Sequence, residues 1–500
     1  MTWHAARFLL YQAVALALAA AVVFAAWALT HRRHHYFRRL AAPLRIAIAV
    51  VIIASALFFF VSTVRGVLAD GNVAQADLRI YHTLRMFRSQ AMHAFYSEVT
   101  NLASTIFIVP VAVALALLFW THRRRNDAIV FVSAIAGAEV LSVALKYIVR
   151  RQRPPEAVHL IGGPSFPSGH TLAATAVYGI LAFLLMREKP RKGWHIAVAA
   201  VLVLLIVLVP ISRVYLGVHW LHDVLASLDL GCAWLACLTM LVRFRPDGTQ
   251  REHRPKPIRA RWIAALATAV VIFAIVLARF RVAPEARPSL RPPSAVAATV
   301  LTRFPDVLHK TSEDLAGGPM EPVSFLFVGG ADDLQRDFEL AGWTLAENPS
   351  ARGLATELWA VIRDRPDPHG PATPAYYAAQ PQDLTFEKPG TASGSIRHRH
   401  HIRIWQTPIC IAPSCAPVWA ATCSYDLGIE FVAKPYLLTH RIDPEIDNER
   451  EYIASQLRGS GAADVGLVTV TGPRRGKNAG GDAFRTDGRA HIMLVTRPHG

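Results

Sequence analysis

Apolar residues in this chain gather in long unbroken runs over its N-terminal part and in short ones toward its C-terminus. Runs at 8–29, 46–64, 102–120, 129–148, 172–186, 196–211, 224–242 and 262–278 read as bilayer-crossing helices, each of which needs about 20 residues. The run at 172–186 is short, and starting it at Ser168 makes it adequate. The pattern predicts an all-α polytopic membrane helix bundle of about eight spans followed by a soluble α/β C-terminal domain. Between the second and third runs, residues 75–97 interleave Leu78, Ile80, Leu84, Met86 and Phe87 with Arg79, Arg85 and Arg88. That mixture fits an amphipathic helix in the headgroup layer and equally a packed connector.

After the last run, Pro284, Pro288, Pro292 and Pro293 mark a linker. Beyond it, strands are expected at 323–328, 401–405, 466–471 and 490–495, and helices at 332–341, 356–362 and 444–457. The predicted organisation is a first span with a basic loop (1–44), a membrane core (45–245), a basic loop with a last span (246–283), a Pro-rich linker (284–297) and a soluble module (298–500).

Composition agrees with the pattern, being 53% hydrophobic and 18% charged over 500 residues. A net charge of +17 raises nucleic acid as a partner. The cations, however, cluster between apolar runs rather than along one soluble face, so nucleic acid is not an expected partner. They read as topology signals. Arg32, Arg33, Arg38 and Arg39, then Arg123 to Arg125, Arg187 to Lys192, and Arg243 to Arg261 all fall on one side of the alternating spans, the cytoplasmic one. This requires the run at 8–29 to be a retained span with its N-terminus outside, rather than the signal peptide that Ala26-Trp27-Ala28 mimics. The chain is then expected in the inner (plasma) membrane, multi-pass, with its C-terminal domain extracytoplasmic (periplasmic in a Gram-negative bacterium).

The candidate chemistry lies between Lys146 and Asp223, at span mouths on that outer side. Lys146 is followed after six residues by Arg153-Pro154; next comes Pro167-Ser168-Gly169-His170; last come Ser212-Arg213, His219 and Asp223. Lys146, Arg153 and Arg213 can neutralise phosphate oxygens, the arginines through planar forks of donors. Ser168 adds a hydroxyl, and Gly169 allows backbone N–H groups to come close. Of the two histidines, one can attack phosphorus and the other can move a proton. Lys146 and Arg153 are seven apart, hence on one helical face until Pro154 ends the helix. His219 and Asp223 are four apart, so their side chains meet on a helical turn. Arg150 and Arg151 read as topology anchors, and His222 as a shaper of the pocket.

These three blocks resemble the signature of the type 2 phosphatidic acid phosphatase family, K-x6-RP, PSGH and SR-x5-H-x3-D, without departure in residue type or spacing. The resemblance covers roughly residues 45 to 245. It implies that His219 is the nucleophile, forming a phosphohistidine, that Asp223 orients it and that His170 is the general acid. It likewise implies a phosphate cradle of Lys146, Arg153, Ser168, Gly169 and Arg213. The expected function is hydrolysis of a lipid phosphate or diphosphate at the outer membrane face. No cofactor is expected, and no metal, since the blocks offer three cations and no carboxylate cluster suited to two metal ions. Two other readings remain open. One is a phosphotransferase that passes the phosphoryl group to a hydroxyl. The other is a membrane-anchored binding protein whose C-terminal domain does the work.

The C-terminal module resembles the LssY-like C-terminal domain, through His400-His401-Ile402-Arg403-Ile404-Trp405, Tyr425-Asp426-Leu427-Gly428-Ile429 and Thr439-His440-Arg441-Ile442-Asp443-Pro444. That resemblance supplies no chemistry and no partner. His398, His400 and His401 invite a zinc site, but the interleaved Arg397, Arg399 and Arg403 disfavour a cation and suit an anionic surface or partner. Cys410, Cys415 and Cys423 permit one disulfide without saying which, and Cys232 and Cys237 read as inert packing residues. Glu139 and Asp229, acids within spans, are expected to be hydrogen-bonded interior acids, with Glu139 also able to lie beneath Lys146.

Overall fold

The computed structural model describes residues 35–69, 71–154, 163–187, 193–243, 294–297, 301, 304–346, 374–390, 398–431, 438–478 and 481–495. Six helices among them are long and apolar enough to cross a membrane: Ile46–Leu68, Gln90–Thr121, Arg125–Val149, Gly169–Arg187, Trp194–Tyr215 and Leu221–Leu241. The count is six where the apolar runs predict about eight. The runs at 8–29 and 262–278, the proline linker and the helix expected at 356–362 lie outside the described residues. The described residues form two compact units. One holds the membrane helices up to Asp77 and from Arg88 onward; the other holds Leu78–Phe87 and the C-terminal domain from Ser289.

In the membrane unit the helices are α1 (His35–Leu68), α2 (Asn72–Met86, as far as Asp77), α3 (Gln90–Asn101), α4 (Thr105–Thr121), α5 (Arg125–Val149), α6 (Gly169–Arg187), α7 (Gly193–Tyr215) and α8 (Leu221–Arg243). The third apolar run extends further than expected. Helix α3 begins at Gln90, where the Ser89 hydroxyl accepts the Met92 N–H, and α4 restarts after Ser104, which caps Phe107 in the same way. Phe107, Phe131, Ala174, Val177, Ile180 and Val209 form the main apolar cluster between helices. Close packing depends on small residues. At Gly137 a Cβ would lie 2.1 Å from the Trp234 ring, whose Nε1 donates to the Ala134 carbonyl at 3.0 Å. The outward faces are apolar, with Phe58, Val140 and Ile148 exposed, which suits a hydrocarbon surround. At one end of the bundle Arg124 and Arg187 both donate to Asp127, at 2.8 and 2.7 Å, joining two of the basic clusters.

The second unit is built on a nine-stranded sheet. Among the described residues its main path runs β12 (Ala463–Thr469), β15 (Arg489–Leu494), β4 (Phe325–Val328), β10 (Ala416–Phe431), β9 (Arg399–Ile411), β8 (Leu384–Pro389) and β5 (Thr344–Leu345), with β1 (Ser294–Val296) beside β9 and β11 (Leu438–Ile442) beside β10. Strands β2 (Thr311–Glu313), β3 (Pro319–Pro322), β6 (Tyr376–Tyr377) and β7 (Gln380–Pro381) form a second sheet, and β13 (Arg474–Lys477) pairs with β14 (Ala483–Thr486). Helices α9 (Ala331–Leu340) and α10 (Ile446–Ser460) cover one face through Leu334, Phe338, Ile453 and Leu457, against Phe327, Phe386, Ile402 and Ile404. The expected elements are present within a few residues, apart from the one outside the described range. In Leu78–Phe87, Arg79 and Tyr81 are buried, and Arg79 donates to Glu313 at 2.6 Å. This stretch is therefore a packed connector.

The histidine run is also corrected. Successive residues of β9 point to opposite faces. His400 bonds Glu449 of α10 at 2.7 Å, whereas His401 faces Ser424 and Asp426 on the other side. Arg399 is buried between Glu387 and Asp426, at 2.8 and 3.0 Å. These charges are turned inward onto carboxylates of the same domain and do not form the expected anionic-partner surface; Arg397 lies outside the described residues. Cys410 and Cys415 form a disulfide, and Cys423 is buried and free.

Candidate active site

The site is assembled where helices end. Helix α5 stops at Val149 because Arg150 adopts a left-handed conformation (φ 50°) and its N–H closes on the Lys146 carbonyl at 3.1 Å. Arg151 to Pro154 therefore lie beyond the helix. Lys146 and Arg153 do not share a helical face, contrary to their spacing, because the helix ends before Pro154 requires it to. Helix α7 closes through Gly217, at φ 68°, where the Val218 N–H reaches the Arg213 carbonyl at 3.2 Å. That turn puts His219 outside both α7 and α8, with Asp223 in the first turn of α8.

Arg153 is held by carbonyl oxygens. Its Nε donates to Gly163 at 3.1 Å, Nη1 to Val218 at 2.8 Å and Nη2 to Pro164 at 3.3 Å. The same Nη1 stands 3.3 Å from His219 Nε2. On the other side of the ring, His219 Nδ1 is 2.7 Å from the Ser165 carbonyl. A carbonyl only accepts, so Nδ1 carries the proton and Nε2 presents a lone pair toward the guanidinium. Burial lowers the His219 imidazole to about 4, and Arg213 and Arg153 act with it against the opposing pull of Asp223. The ring is therefore neutral at neutral pH.

Asp223 does not make the hydrogen bond to His219 that its spacing suggests, being 3.6 Å from Nδ1. Its Oδ2 accepts the Trp220 N–H at 3.0 Å, and its Oδ1 accepts Arg151 Nη1 at 2.8 Å. Arg151 also donates from Nη2 to Asp77 at 2.7 Å, and Asp77 in turn holds His222 Nδ1 at 2.8 Å. Burial alone would lower the Arg151 guanidinium, but the Asp223 and Asp77 carboxylates hold it above its ordinary value. Arg151 is therefore part of the site and not a simple topology anchor.

The remaining cradle residues converge on the same place. A Cβ on Gly169 would lie at ordinary contact distance, 3.5 Å, from Lys146 Nζ, so the ammonium stands beside the start of α6. The Ser168 hydroxyl accepts from Thr171 at 3.0 Å, and the Ser168 N–H reaches the Asp223 carbonyl at 3.3 Å. Arg213 is buried and donates to Thr100 Oγ1 at 2.8 Å. His170 is the second residue of α6, next to Gly169. Arg153 and Arg213 thus act on one neutral imidazole and Lys146 on both of them, an arrangement suited to gathering a phosphate beside the ring. Glu139 is exposed and not an interior acid as expected, though its charge still reaches Lys146; Asp229 is buried.

Sequence reasoning missed Ser165, Arg151 and Asp77. Ser165 acts through its main chain, which no side-chain pattern reveals. Asp77 comes from a distant connector, and only Arg151, two residues before Arg153, lay within reach of a motif.

Residues 127–247 match the PAP2 superfamily, and residues 302–490 match the LssY C-terminus. Phosphatidylglycerophosphatase B of Bacillus subtilis is 30% identical over 178 residues, covering 35% of this chain and 87% of that protein. Undecaprenyl-diphosphatase of Sulfolobus acidocaldarius is 35% identical over 134 residues, 25% of this chain and 60% of that protein. Among solved structures, the transmembrane PAP2 type phosphatidylglycerolphosphate phosphatase from Bacillus subtilis matches with 27% identity and a TM-score of 0.37, covering 39% of this chain and 98% of that one. The chain belongs to the PAP2 superfamily of membrane phosphatases and carries an LssY C-terminal domain.

Proposed function

We propose that this chain hydrolyses a lipid phosphate or diphosphate at the outer membrane face through a phosphohistidine on His219. The observation that carries the proposal is the fixed tautomer. Ser165 holds Nδ1, and Nε2 looks at the Arg153 fork, where a phosphate would sit. Nε2 attacks phosphorus while the bond to the ester oxygen breaks. His170 donates its proton to the departing alkoxide, then takes one from the water that attacks the phosphohistidine, which releases inorganic phosphate and restores the neutral ring. Lys146, Arg153 and Arg213 stabilise charge on the equatorial oxygens, the main need of phosphoryl transfer, without a divalent ion. The Bacillus relative is named for phosphatidylglycerophosphate and the Sulfolobus one for undecaprenyl diphosphate, which supports a lipid substrate. The Cys410–Cys415 disulfide supports an oxidising, extracytoplasmic compartment for the C-terminal domain.

Rapid quench with a phosphorus-labelled lipid phosphate tests the mechanism. The expected result is transient, acid-labile label on the protein that disappears in His219→Ala. Acid-stable label, or activity abolished by a chelator and restored by a metal ion, would overturn it.

A further inference from the structure

Helix α3 presents one face on which residues 89, 93, 96, 97 and 100 follow one another at helical spacing. Contacts at both ends fix what this face looks at. The Ser89 N–H donates to the Tyr215 hydroxyl at 3.1 Å, and the Tyr96 and Tyr215 rings lie 4.6 Å apart. Near the other end, Thr100 accepts from Arg213 at 2.8 Å. The face is therefore laid against the last turn of α7, which carries a cation of the phosphate cradle. His93 and Ser97 lie between these contacts, yet His93 Nε2 and Ser97 Oγ are buried without a hydrogen-bond partner, as is Arg213 Nε.

A buried polar atom without a partner is costly, and more so in a helix flanked by hydrocarbon. Two such atoms on the α3 face and a third on the facing arginine of α7 point to a ligand between the two helices. Resting on the phosphatase reading above, we infer that His93 and Ser97 bind a hydroxyl on the leaving group, so that the substrate is a lipid phosphate esterified to a polyol. Imidazole and hydroxyl side chains can each give and take a hydrogen bond, as an alcohol does. The second phosphate of a diphosphate offers acceptors only and adds charge, against which this trio sets one cation. A hydrocarbon leaving group would keep both side chains unpaired in the complex.

The test uses two phosphomonoesters with identical acyl chains in detergent micelles. In phosphatidylglycerol phosphate the departing glycerol carries a free hydroxyl beside the ester carbon, and in phosphatidic acid it carries none. The wild-type protein is expected to prefer the first in kcat/KM. Ser97→Ala and His93→Gln should each reduce that preference, and together reduce it about tenfold, with unfolding midpoints checked in parallel. Ser97→Ala removes one oxygen and keeps the inference falsifiable should the histidine variant fail to fold. A preference absent from the wild type, or unchanged in Ser97→Ala and in the double variant, would overturn the inference and leave the phosphatase reading standing. Phosphate released by the wild type from neither lipid would overturn that reading itself.

Discussion

Arg151 grips Asp223 at 2.8 Å, while His219, the residue Asp223 is spaced to orient, stands 3.6 Å from the same carboxylate. The guanidinium spans two carboxylates, and Asp77 on its far side holds His222. The surroundings of His219 are thus fixed by a bridge from the connector helix as well as by the helical turn.

Arg151→Ala should lower kcat about a hundredfold while changing KM little, because it releases Asp223 without touching the phosphate cradle. Arg151→Lys should recover only part, since one ammonium cannot span both carboxylates as a fork does. Asp77→Asn should act in the same direction, and combined with Arg151→Ala it should add little. Single-turnover kinetics with unfolding midpoints check this. An unaltered kcat in Arg151→Ala would reduce the bridge to a structural tie.

Asp223→Asn should cost about ten- to a hundredfold in turnover and still permit labelling of the protein by substrate. In triads where an aspartate alone sets the tautomer the loss is about 10⁴-fold, but here the Ser165 carbonyl holds Nδ1–H. Quench experiments on the two variants separate the roles. Label lost from Asp223→Asn as completely as from His219→Ala would show that the carboxylate, not the carbonyl, fixes the ring.

The acid limb of kcat/KM should lie near pH 4, after correction for the substrate's own second ionisation near about 6. The sign follows from burial. His219 is lowered to about 4, so its nucleophilic neutral form persists down to that pH and is lost only as pH falls through it. A pH–rate profile at fixed ionic strength reads the limb directly, and a limb near the ordinary histidine value of about 6.5 would contradict the buried, cation-flanked setting.

An alkaline phosphatase reporter should be active when inserted near Gly162 and when fused after Gly500. The motivation is the joining of Arg124 and Arg187 through Asp127 at the end of α5 and α6 opposite Lys146 and Gly169. Silence at both positions would place the site on the cytoplasmic side.

Much of the site was legible because phosphate chemistry selects residue types at set spacings. Arg153, Arg213 and His219, from two of the three blocks, come together in space. What the spacing could not say was how the backbone turns between them. One left-handed residue, Arg150, takes Arg153 off the helix, and a main-chain oxygen of Ser165 lies nearer His219 Nδ1 than Asp223 does. In the C-terminal domain the strand at 401–405 was readable from its alternation of charged and apolar residues. The same alternation suggested a solvent face, whereas both sides of β9 are covered and its arginines and histidine meet buried acids.

That inward charge makes the sheet's alignment nearly unique. On β9, Arg399 and His401 alternate with Ile402 and Ile404 between opposite layers, and Arg399 answers Glu387 on β8 and Asp426 on β10 at once. A slip of one residue would turn Arg399 and His401 onto the layer of Phe338 and Phe386 and strand Glu387 and Asp426 without the Arg399 counter-charge. Purely apolar strands can trade one pairing for a neighbouring one at modest cost. Here a misaligned pairing meets an electrostatic penalty on three adjacent strands together, which acts as a proofreading step during assembly of the domain.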